Sequence, residues 1–530
     1  MKKIILSIVV LTISIGALIC LSFSKTQSFS SLCISEEDFD EICSNRKESN
    51  ISLLNELNFN SYDLFFDATN KHYYYSLIEN DNSAYDPKVE WYENNVNVSI
   101  KETSITNESI ENNEVIEIVA YNNNSYSLYE LSCTTLPLLN INTVFVYENI
   151  NLTLFDNREG VKNRIINYHG DMHPRGGSTT AYPKLGYKLN IDKQFIGDNT
   201  KVSDISLLDL RNGTDYILYA GYNDQERIRN VFTMQMWWDA CSKNNEFNLD
   251  NGMYYKYVEL FFNNEYYGLY ALGFPIDEIQ EDLKDNEIIF KKNDWDDEGE
   301  FIVDYDGTGE ILNFEVQRGL DNEDSWSFLR KYYDTLLNSN DVDEIYKHHD
   351  INNAIDIYLY FGIPIAQDST SYKEFKDIFL TKKIINDDYK VLYAPWDMDI
   401  TWGNKWEFEN QNYLDEYHYG TDDIAHSVPL QYSPISVLLK LDKDNTAKLL
   451  KDRYNYLRNN EWSDENITNL INKYEKDVFD SGAFIRDANK WPESNQEEAN
   501  IKLNKFKDFV IKRFHFVDEH FDDIYINVNN

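Results

Sequence analysis

Residues 257–272 read YVELFFNNEYYGLYAL. Two mainly apolar and aromatic runs, 257–262 and 266–272, flank the pair Asn263-Asn264. Asparagine tolerates the positive φ angles that a tight hairpin turn requires, and aromatic and β-branched residues favour strands. The sequence therefore predicts a β-hairpin at this place.

The chain differs on the two sides of this hairpin. Before it, residues 187–191 are predicted to form a strand and residues 228–240 a helix whose apolar side chains crowd one side. After about residue 324 the predicted elements are mostly helices, at 326–337, 352–361, 434–450, 467–479 and 497–514. A strand-rich part followed by a helix-rich part predicts an α+β fold with two lobes.

The first part of the chain has a pattern of its own. Residues 73–77, 96–100, 115–121 and 126–131 are rich in β-branched and aromatic residues and are separated by Asn, Asp and Ser clusters. This pattern predicts a small antiparallel β domain, which we expect over residues 31–143. A second domain would then cover residues 144–530, with a strand-rich lobe at about 144–290 and a helix-rich lobe at about 320–530. The simplest interpretation of the first domain is a scaffold or partner-binding module without chemistry of its own.

The N-terminus has the pattern of a targeting segment. Lys2 and Lys3 precede an almost unbroken apolar run from Ile4 to Phe23. Basic residues before an apolar run of this length predict a signal peptide or a membrane anchor over residues 1–30. In both cases we expect the rest of the chain to be exported, either secreted or anchored with an extracellular domain.

Four cysteines follow this segment, namely Cys33, Cys43, Cys133 and Cys241. Four cysteines allow three disulfide pairings, and the sequence does not select one. A bond between Cys33 and Cys43 would close the shortest loop, and isolated buried thiols are an equally good interpretation.

The charge of the chain restricts its partners. The 530 residues include 49 Lys and Arg against 91 Asp and Glu, which gives a formal net charge of −42. Phosphate backbones repel such a chain, so we expect no nucleic-acid partner. A phosphate-bearing small molecule would need both a bound cation and a local basic cluster.

One window supplies that basic cluster. Residues 158–193 contain only three acidic residues but seven basic ones, which are Arg158, Lys162, Arg164, Arg175, Lys184, Lys188 and Lys193. Within it, Arg175-Gly176-Gly177 precedes a predicted strand, and backbone N–H groups of such loops can approach phosphate oxygens. Side chains alternate along a strand, so we expect Lys184 and Lys188 on the same face. A plain surface hairpin is the alternative.

Acidic residues further along the chain predict a metal site. Asp397 and Asp399 follow the strand-like run 390–393, and carboxylates at i and i+2 suit Mg²⁺ or Mn²⁺ held against phosphate oxygens. Upstream, Asp368 is a candidate to orient an attacking hydroxyl, and Asp377 a candidate second metal ligand. This order of a basic strand, a lone acid and metal-binding acids is typical of phosphoryl transfer by a kinase-like fold.

Four segments resemble the spore coat protein H (CotH) kinase family. They are 175–189, similar to the family's RGxSxxxxPKxxYxL signature; 224–230, similar to its D…RN helix; 257–270, similar to its VELFLNGEYxGLY hairpin; and 395–403, similar to its PWDxD…G segment. The resemblance implies an atypical protein-kinase-like two-lobed fold. It also implies transfer of the γ-phosphate of ATP to Ser residues of exported or spore-coat-type proteins, with Mg²⁺ or Mn²⁺ as the metal.

The resemblance also assigns roles by position. It implies that Lys184 binds the ATP phosphates, with Lys188 as a second lysine, and that Arg175 and Arg229 brace the phosphate region. Asp368 corresponds to the acid that positions the substrate hydroxyl. The implied metal-binding acids are Asp397, Asp399 and Asp377.

The chain departs from the family pattern at three places, one of which is the position before Asp368, where Ala366 or Gln367 stands instead of the family's Asn. After the hairpin the family usually has a Glu-Gln-Ile-Asp run, whereas this chain has Gly273-Phe274-Pro275-Ile276-Asp277, in which the Glu and Gln are replaced. In addition, Asp377 replaces an Asn. Two alternatives to an active kinase therefore stay open. One is a catalytically degenerate CotH-like binding or assembly protein at the cell or spore surface. The other is a metal-dependent glycosyltransferase, because an Asp-x-Asp pair also binds metal and a nucleotide sugar.

Overall fold

The computed structural model describes residues 25–54, 56–143, 148–192, 205–292, 310–311, 314–366, 368–369, 376–404, 433–492 and 499–527. Most of the predicted targeting segment lies outside these ranges. Within them, no helix combines the length and apolar character needed to cross a bilayer.

Two small sheets lie between residues 25 and 134. Their strands are β1 Lys25–Ser28, β2 Cys33–Ile34, β3 Lys47–Glu48, β4 Asn58–Phe59, β5 Tyr62–Asp63, β6 Phe65–Asp67, β7 His72–Ser76, β8 Lys88–Trp91, β9 Asn97–Lys101, β10 Ile116–Tyr121 and β11 Ser125–Thr134. One sheet has the order β1-β8-β4-β5, and the other has the order β2-β9-β10-β11-β7-β6 with β3 beside β11. Short helices accompany them, α1 Phe29–Leu32, α2 Glu36–Ser44 and α3 Asn107–Glu111.

The larger of these sheets is mixed, whereas the sequence predicted an antiparallel domain. Strands β3 and β7 pair with β11 in parallel, and β2 pairs with β9 in parallel. Parallel neighbours need a long crossover connection, and β8 to β10 provide it between β7 and β11. Alternating strand patterns predict the strands but not the direction in which they pair.

The start of the described chain is part of this fold. Strand β1 pairs antiparallel with β8, so residues 25–28, the end of the predicted targeting segment, belong to a sheet. All four described cysteines are free thiols, but only Cys133 and Cys241 are buried, so the interpretation as isolated buried thiols holds for these two.

A closed barrel follows in the chain. Its strands are β12 Leu138–Asn142, β13 Ile150–Phe155, β14 Ile165–Arg175, β15 Gly186–Ile191, β16 Asp215–Tyr219, β17 Tyr255–Phe262 and β18 Glu265–Gly273. They close in the order β12-β13-β14-β15-β16-β18-β17. The predicted hairpin is β17–β18, and its turn residues Asn263 and Asn264 have φ angles of 49° and 66°. Helix α4, Arg229–Ala240, connects β16 to β17.

The rest of the described chain contains a five-stranded sheet and helices. The strands are β19 Ile288–Lys292, β20 Glu310–Ile311, β21 Phe314–Arg318, β22 Ile378–Ile385 and β23 Asp388–Pro395, in the order β20-β21-β19-β22-β23. The helices are α5 Glu323–Asn338, α6 Val342–His348, α7 Ile351–Gly362, α8 Pro434–Leu441, α9 Lys443–Asn459, α10 Asp464–Glu475, α11 Ala483–Lys490, α12 Ala499–Glu519 and α13 Phe521–Tyr525. The helix predicted at 434–450 is divided into α8 and α9, because the backbone angles of Asp442, φ −144° and ψ 63°, are not helical. The α+β content agrees with the predicted class.

Three hydrophobic clusters hold these parts together. The largest joins the barrel, the five-stranded sheet and the helices, and a second fills the N-terminal sheets. A third cluster lies between the N-terminal sheets and the barrel and contains Tyr74, Leu138, Phe155, Phe261 and Tyr266. The N-terminal region is therefore packed against the outside of the barrel.

Candidate active site

A cleft of about 940 Å³ lies between the barrel and the five-stranded sheet. The barrel contributes the loop between β14 and β15 and the segment 218–223, which comprises the end of β16 and the residues that follow it. The opposite wall contains Lys291 and Glu315 from β19 and β21. Four aspartates complete the lining, namely Asp368, Asp377, Asp397 and Asp399.

Lys184 is the buried cation of this cleft. Its side chain is fully buried, and its Nζ donates hydrogen bonds of 2.7 Å to the Leu269 carbonyl and of 2.7 Å to Oδ1 of Asp487. Burial lowers the pKa of Lys184 to about 8, although the neighbouring Asp487 carboxylate opposes this shift. The ammonium group is therefore held in place by an acid that the sequence did not indicate.

Asp487, in helix α11, binds two cations at once. Its Oδ1 accepts from Lys184 and from the Leu269 N–H, and its Oδ2 accepts from Nε of Arg227 at 2.8 Å. Burial disfavours the charged carboxylate, but Lys184 and Arg227 outweigh it and hold the pKa of Asp487 below its ordinary value. A buried charge is tolerated when it is paired in this way.

Arg227 extends this network to the far side of the cleft. Its backbone has a φ of 65°, and its Nη1 donates to the carbonyls of Gly221 and Asp224 at 2.7 Å each. These bonds fix the loop that carries Asn223, whose amide donates to Oδ2 of Asp399 at 2.7 Å. One continuous chain of contacts thus joins Lys184 to the predicted metal-binding acids.

The acids converge because two strands end at the same place. In the antiparallel pair β22–β23, Ile378 lies opposite Pro395, so Asp377 immediately before β22 lies near the residues that follow β23. The Trp396 N–H donates to the Asp377 carbonyl at 3.1 Å. Strand pairing therefore brings together acids that are separated in sequence.

These carboxylates strongly affect each other's ionisation. Burial and then the Asp397 carboxylate raise the pKa of both Asp377 and Asp399 well above the ordinary value. The pKa of Asp397 is also raised, by burial and by Asp368, while Arg175 lowers it. Such mutual repulsion is relieved when a cation binds.

Asp368 lies just beyond helix α7 and is partly exposed to the cleft, with 26% of its side chain accessible. Nζ of Lys376 donates to its Oδ1 at 2.7 Å, and Oγ of Ser369 donates to Asp377 at 3.2 Å. Asp368 is therefore a carboxylate with an accessible side and a paired cation. Lys376 also lines the cleft, although no motif assigned it a role.

The remaining predicted cations differ in position. Arg175 lines the cleft at the end of β14. Arg229 is buried away from it, bonded to Asp224 at 3.1 Å and to the Thr401 carbonyl at 3.1 Å, so it anchors the segment that follows Asp399. Lys188 is not among the cleft-lining residues, and its nearest carboxylate is Asp215 at 4.0 Å. Strand β15 begins only at Gly186, so the alternation that would place Lys184 and Lys188 on one face does not reach Lys184.

The donor set is compatible with a divalent metal. No set of three or more His, Cys, Asp and Glu side chains in the described ranges forms a ready-made metal cage. Mg²⁺ at phosphoryl-transfer sites usually takes one or two carboxylates and completes its coordination with phosphate oxygens and water. Asp397 and Asp399, with their raised pKa values, fit that requirement.

A buried lysine–aspartate pair that faces clustered carboxylates across one cleft is the arrangement of a phosphoryl-transfer site. The family model described as CotH kinase protein matches residues 172–517, which is more than half of the chain, and the chain therefore belongs to the CotH kinase family. No curated protein matches the chain. The matched region begins inside β14, so the barrel is completed by β12 and β13 from the preceding residues.

Sequence reasoning missed Asp487, Arg227 and Asn223. Arg227 and Asn223 lie in or beside the segment 224–230, whose similarity to the family pattern was the only available signal. Asp487 has no local signal, because it is 303 residues from Lys184 and lies in an ordinary amphipathic helix.

Proposed function

We propose that this chain is an exported atypical protein kinase that transfers the γ-phosphate of ATP to Ser residues of secreted or spore-coat-type proteins in a metal-dependent reaction. Family membership supports kinase activity, and the observation that carries the proposal is the meeting of Lys184 with Asp397 and Asp399 in one cleft.

The proposal gives the molecule two kinase lobes. The barrel β12–β18 would form the strand-rich lobe, and the five-stranded sheet with its helices would form the helix-rich lobe. Their shared cleft supports this division, since its lining residues come from both parts. The N-terminal sheets, residues 25–134, lie outside this pair of lobes.

Each side chain has a role that its surroundings support. Lys184, held by Asp487, binds phosphate oxygens, and Arg175 adds a second positive charge at the end of β14. Asp397 and Asp399 would hold the metal, which would neutralise charge on the phosphates. Asp377 supports the same site from the start of β22.

The transfer step uses Asp368. Its accessible carboxylate oxygen accepts a hydrogen bond from the Ser hydroxyl and aims that hydroxyl at the γ-phosphorus. The new bond joins the Ser oxygen to the γ-phosphorus, the bond to the β,γ-bridging oxygen breaks, and the hydroxyl proton passes to Asp368. ADP leaves, and the acid then returns its proton to water.

Charge balance explains why a metal is required. ATP brings about four negative charges to a chain that already carries −42. The cleft itself supplies Lys184, Arg175, Lys291 and Lys376 against Glu315 and its four aspartates. Those side chains roughly cancel one another, so a divalent cation is needed before nucleotide binding becomes favourable.

Transfer of labelled phosphate tests the proposal. Residues 25–530 are incubated with γ-labelled ATP, Mg²⁺ or Mn²⁺ and an extract of exported proteins, beside a parallel reaction with labelled sugar nucleotides. We expect label from ATP on Ser, and roughly 100-fold or more loss in a folded Asp397→Ala variant. Equal labelling by Asp397→Ala would contradict the site assignment.

Two other results would support the alternatives. Label from a sugar nucleotide would favour a glycosyltransferase. The absence of any heat when ATP and Mn²⁺ are titrated into the protein would favour a degenerate binding protein.

We also propose that the protein acts outside the cytosol, either released or held by its N-terminal segment, as at a cell or spore surface. The apolar run from Ile4 to Phe23 supports this location. Fractionation of cells that produce the full chain, followed by protease treatment of intact cells, tests it.

A further inference from the structure

Helix α11 carries two neighbouring charged residues with different partners. Asp487 holds Lys184 and Arg227 inside the candidate active site. Arg486, one residue earlier, is also buried, and its guanidinium bonds Glu259 and Asn113 instead of the partners of Asp487. The two residues are adjacent in one rigid helical turn, so the position of one restricts the position of the other.

Arg486 is bonded to three parts of the chain, and the nearest in sequence is the Ser481 carbonyl just before α11, to which its Nη2 donates at 2.8 Å. Its Nε and Nη2 donate to the Glu259 carboxylate of β17 at 2.9 and 2.6 Å. Its Nη1 donates to Oδ1 of Asn113, in the turn between α3 and β10, at 2.7 Å and to the Cys133 carbonyl of β11 at 3.3 Å, so both partners belong to the N-terminal region. A planar guanidinium with five donors can fix several partners in one geometry, which a lysine cannot do.

The N-terminal region also meets the start of this helix directly. Gly482, which precedes α11, has a φ of 71°, and a Cβ at this position would collide with the Ile110 carbonyl of α3. Beside this contact, the Tyr74 ring stacks on the Tyr266 ring with centroids 5.2 Å apart, and the Phe65 ring meets the Phe261 ring edge-on at 5.3 Å. The N-terminal region therefore packs on both α11 and the hairpin β17–β18.

We propose that the N-terminal region, residues 25–134, acts as a positioning element for the candidate active site, and that Asn113 and the Cys133 carbonyl fix Arg486 so that Asp487 holds Lys184 in the cleft. Arg486 and Asn113 are positioning residues, since neither lines the cleft. The importance of Lys184 for phosphate binding rests on the proposed function, but its placement by the N-terminal region does not.

This proposal gives the N-terminal region a function that a plain scaffold would not have. A scaffold would stabilise the chain as a whole, and its loss would affect all buried groups alike. A positioning element has a local effect, on the accessibility and the ionisation of one lysine. The two can be told apart by following that lysine.

The test variant is Asn113→Gly in the full chain. Asn113 has a φ of 50°, which glycine adopts without strain, so this variant removes the side chain and leaves the backbone conformation allowed. Asn113→Asp is the conservative variant, because a carboxylate can still accept from Arg486. The matched control is Asn386→Gly, at an exposed position with the same φ of 50° in the turn between β22 and β23.

The first measurement needs no nucleotide. Acylation of lysines by an amine-reactive reagent is followed by mass spectrometry at pH 8, well below the melting temperature of each variant. We expect Lys184 to be labelled at least threefold faster in Asn113→Gly, while Asn113→Asp and Asn386→Gly match the wild type. The exposed Lys448 should be labelled equally in all of them. Unchanged labelling of Lys184 in a folded Asn113→Gly would overturn the proposal.

Arg486→Lys provides a second variant if Asn113→Gly does not fold. It keeps a cation for Glu259 but cannot also reach Asn113, and the same rise in Lys184 labelling is expected. Hydrogen exchange of the wild type requires no substitution: the amides of α11 and β11 should open together. Opening of α11 while β11 stays protected would also overturn the proposal.

A kinase assay then separates this proposal from the proposed function. If the wild type transfers phosphate, Asn113→Gly should raise the KM for ATP with less effect on kcat, because Lys184 binds nucleotide. If the wild type transfers none, the proposed function fails, and the labelling of Lys184 still decides whether the N-terminal region positions this residue.

Discussion

Replacing Asp487 by Asn tests the buried network most directly. The aspartate accepts hydrogen bonds from Lys184, Arg227 and the Leu269 N–H at 2.7, 2.8 and 2.9 Å. Asparagine could keep one oxygen for Lys184 and Leu269, but its NH₂ group would then face Nε of Arg227, donor against donor. Breaking a buried ion pair from one side typically costs about 3–5 kcal/mol, and we expect a loss in that range.

Urea denaturation at pH 7, followed by tryptophan fluorescence, measures this loss. Asp452→Asn is the matched control, because the Lys448–Asp452 pair has 73% and 62% of its side chains exposed and such pairs contribute roughly 0–1 kcal/mol. If Asp487→Asn is no more destabilising than Asp452→Asn, Asp487 does not hold the two cations, and the reasoning about the cleft is refuted.

Three further predictions concern Lys184, Asp399 and Gly268. The pKa of Lys184 is about 8 in the folded protein and 10.5 as its ordinary value, so between these pH values the unfolded chain binds the extra proton and stability rises with pH. That rise, about 3 kcal/mol, should be missing from Lys184→Met in urea denaturation at a series of pH values, and an identical pH dependence in both proteins would contradict it. Asp399→Asn should raise the melting temperature at pH 7 without metal, because burial and Asp397 raise the pKa of Asp399 and its ionised form is unfavourable, while asparagine still accepts from Asn223. The same variant should lose the increase in melting temperature that Mn²⁺ gives the wild type. A lower melting temperature of Asp399→Asn without metal would show that the repulsion between Asp397 and Asp399 is already relieved in the wild type. Gly268→Ala should destabilise by about 1–3 kcal/mol, because Gly268 has a φ of 132° and an added Cβ would lie 2.5 Å from Oδ1 of Asp487. A calorimetric melting curve that is unchanged in Gly268→Ala would show that the backbone of Gly268 does not approach Asp487 this closely.

Local patterns predicted the hairpin of the barrel and several residues that line the cleft. The apolar runs around Asn263-Asn264 were predicted as a hairpin, and the structure confirms it as β17–β18. Positions 175, 184, 368, 377, 397 and 399, taken from the motifs, all line the same cleft. The hairpin and the motif positions could be predicted because strand alternation, turn residues and short motifs involve only residues that are close in sequence.

Other features could not be predicted from local patterns. The parallel pairing of β7 with β11 and the closure of the barrel depend on which strand edges meet after the chain has turned back. The separation of Lys188 from the cleft depends on where β15 begins. The strand begins at Gly186, two residues after Lys184, so strand alternation does not place Lys184 and Lys188 on the same face.

The family, the α+β class and the charged residues available for phosphate and metal are evident from the order of residues. The pairing of Asp487 with Lys184 and the contacts of Arg486 with the N-terminal region became visible only in the folded molecule. Both pairings involve residues hundreds of positions apart, and a buried charge selects its partner by the geometry of packing. That geometry exists only once helix α11 lies against strand β18.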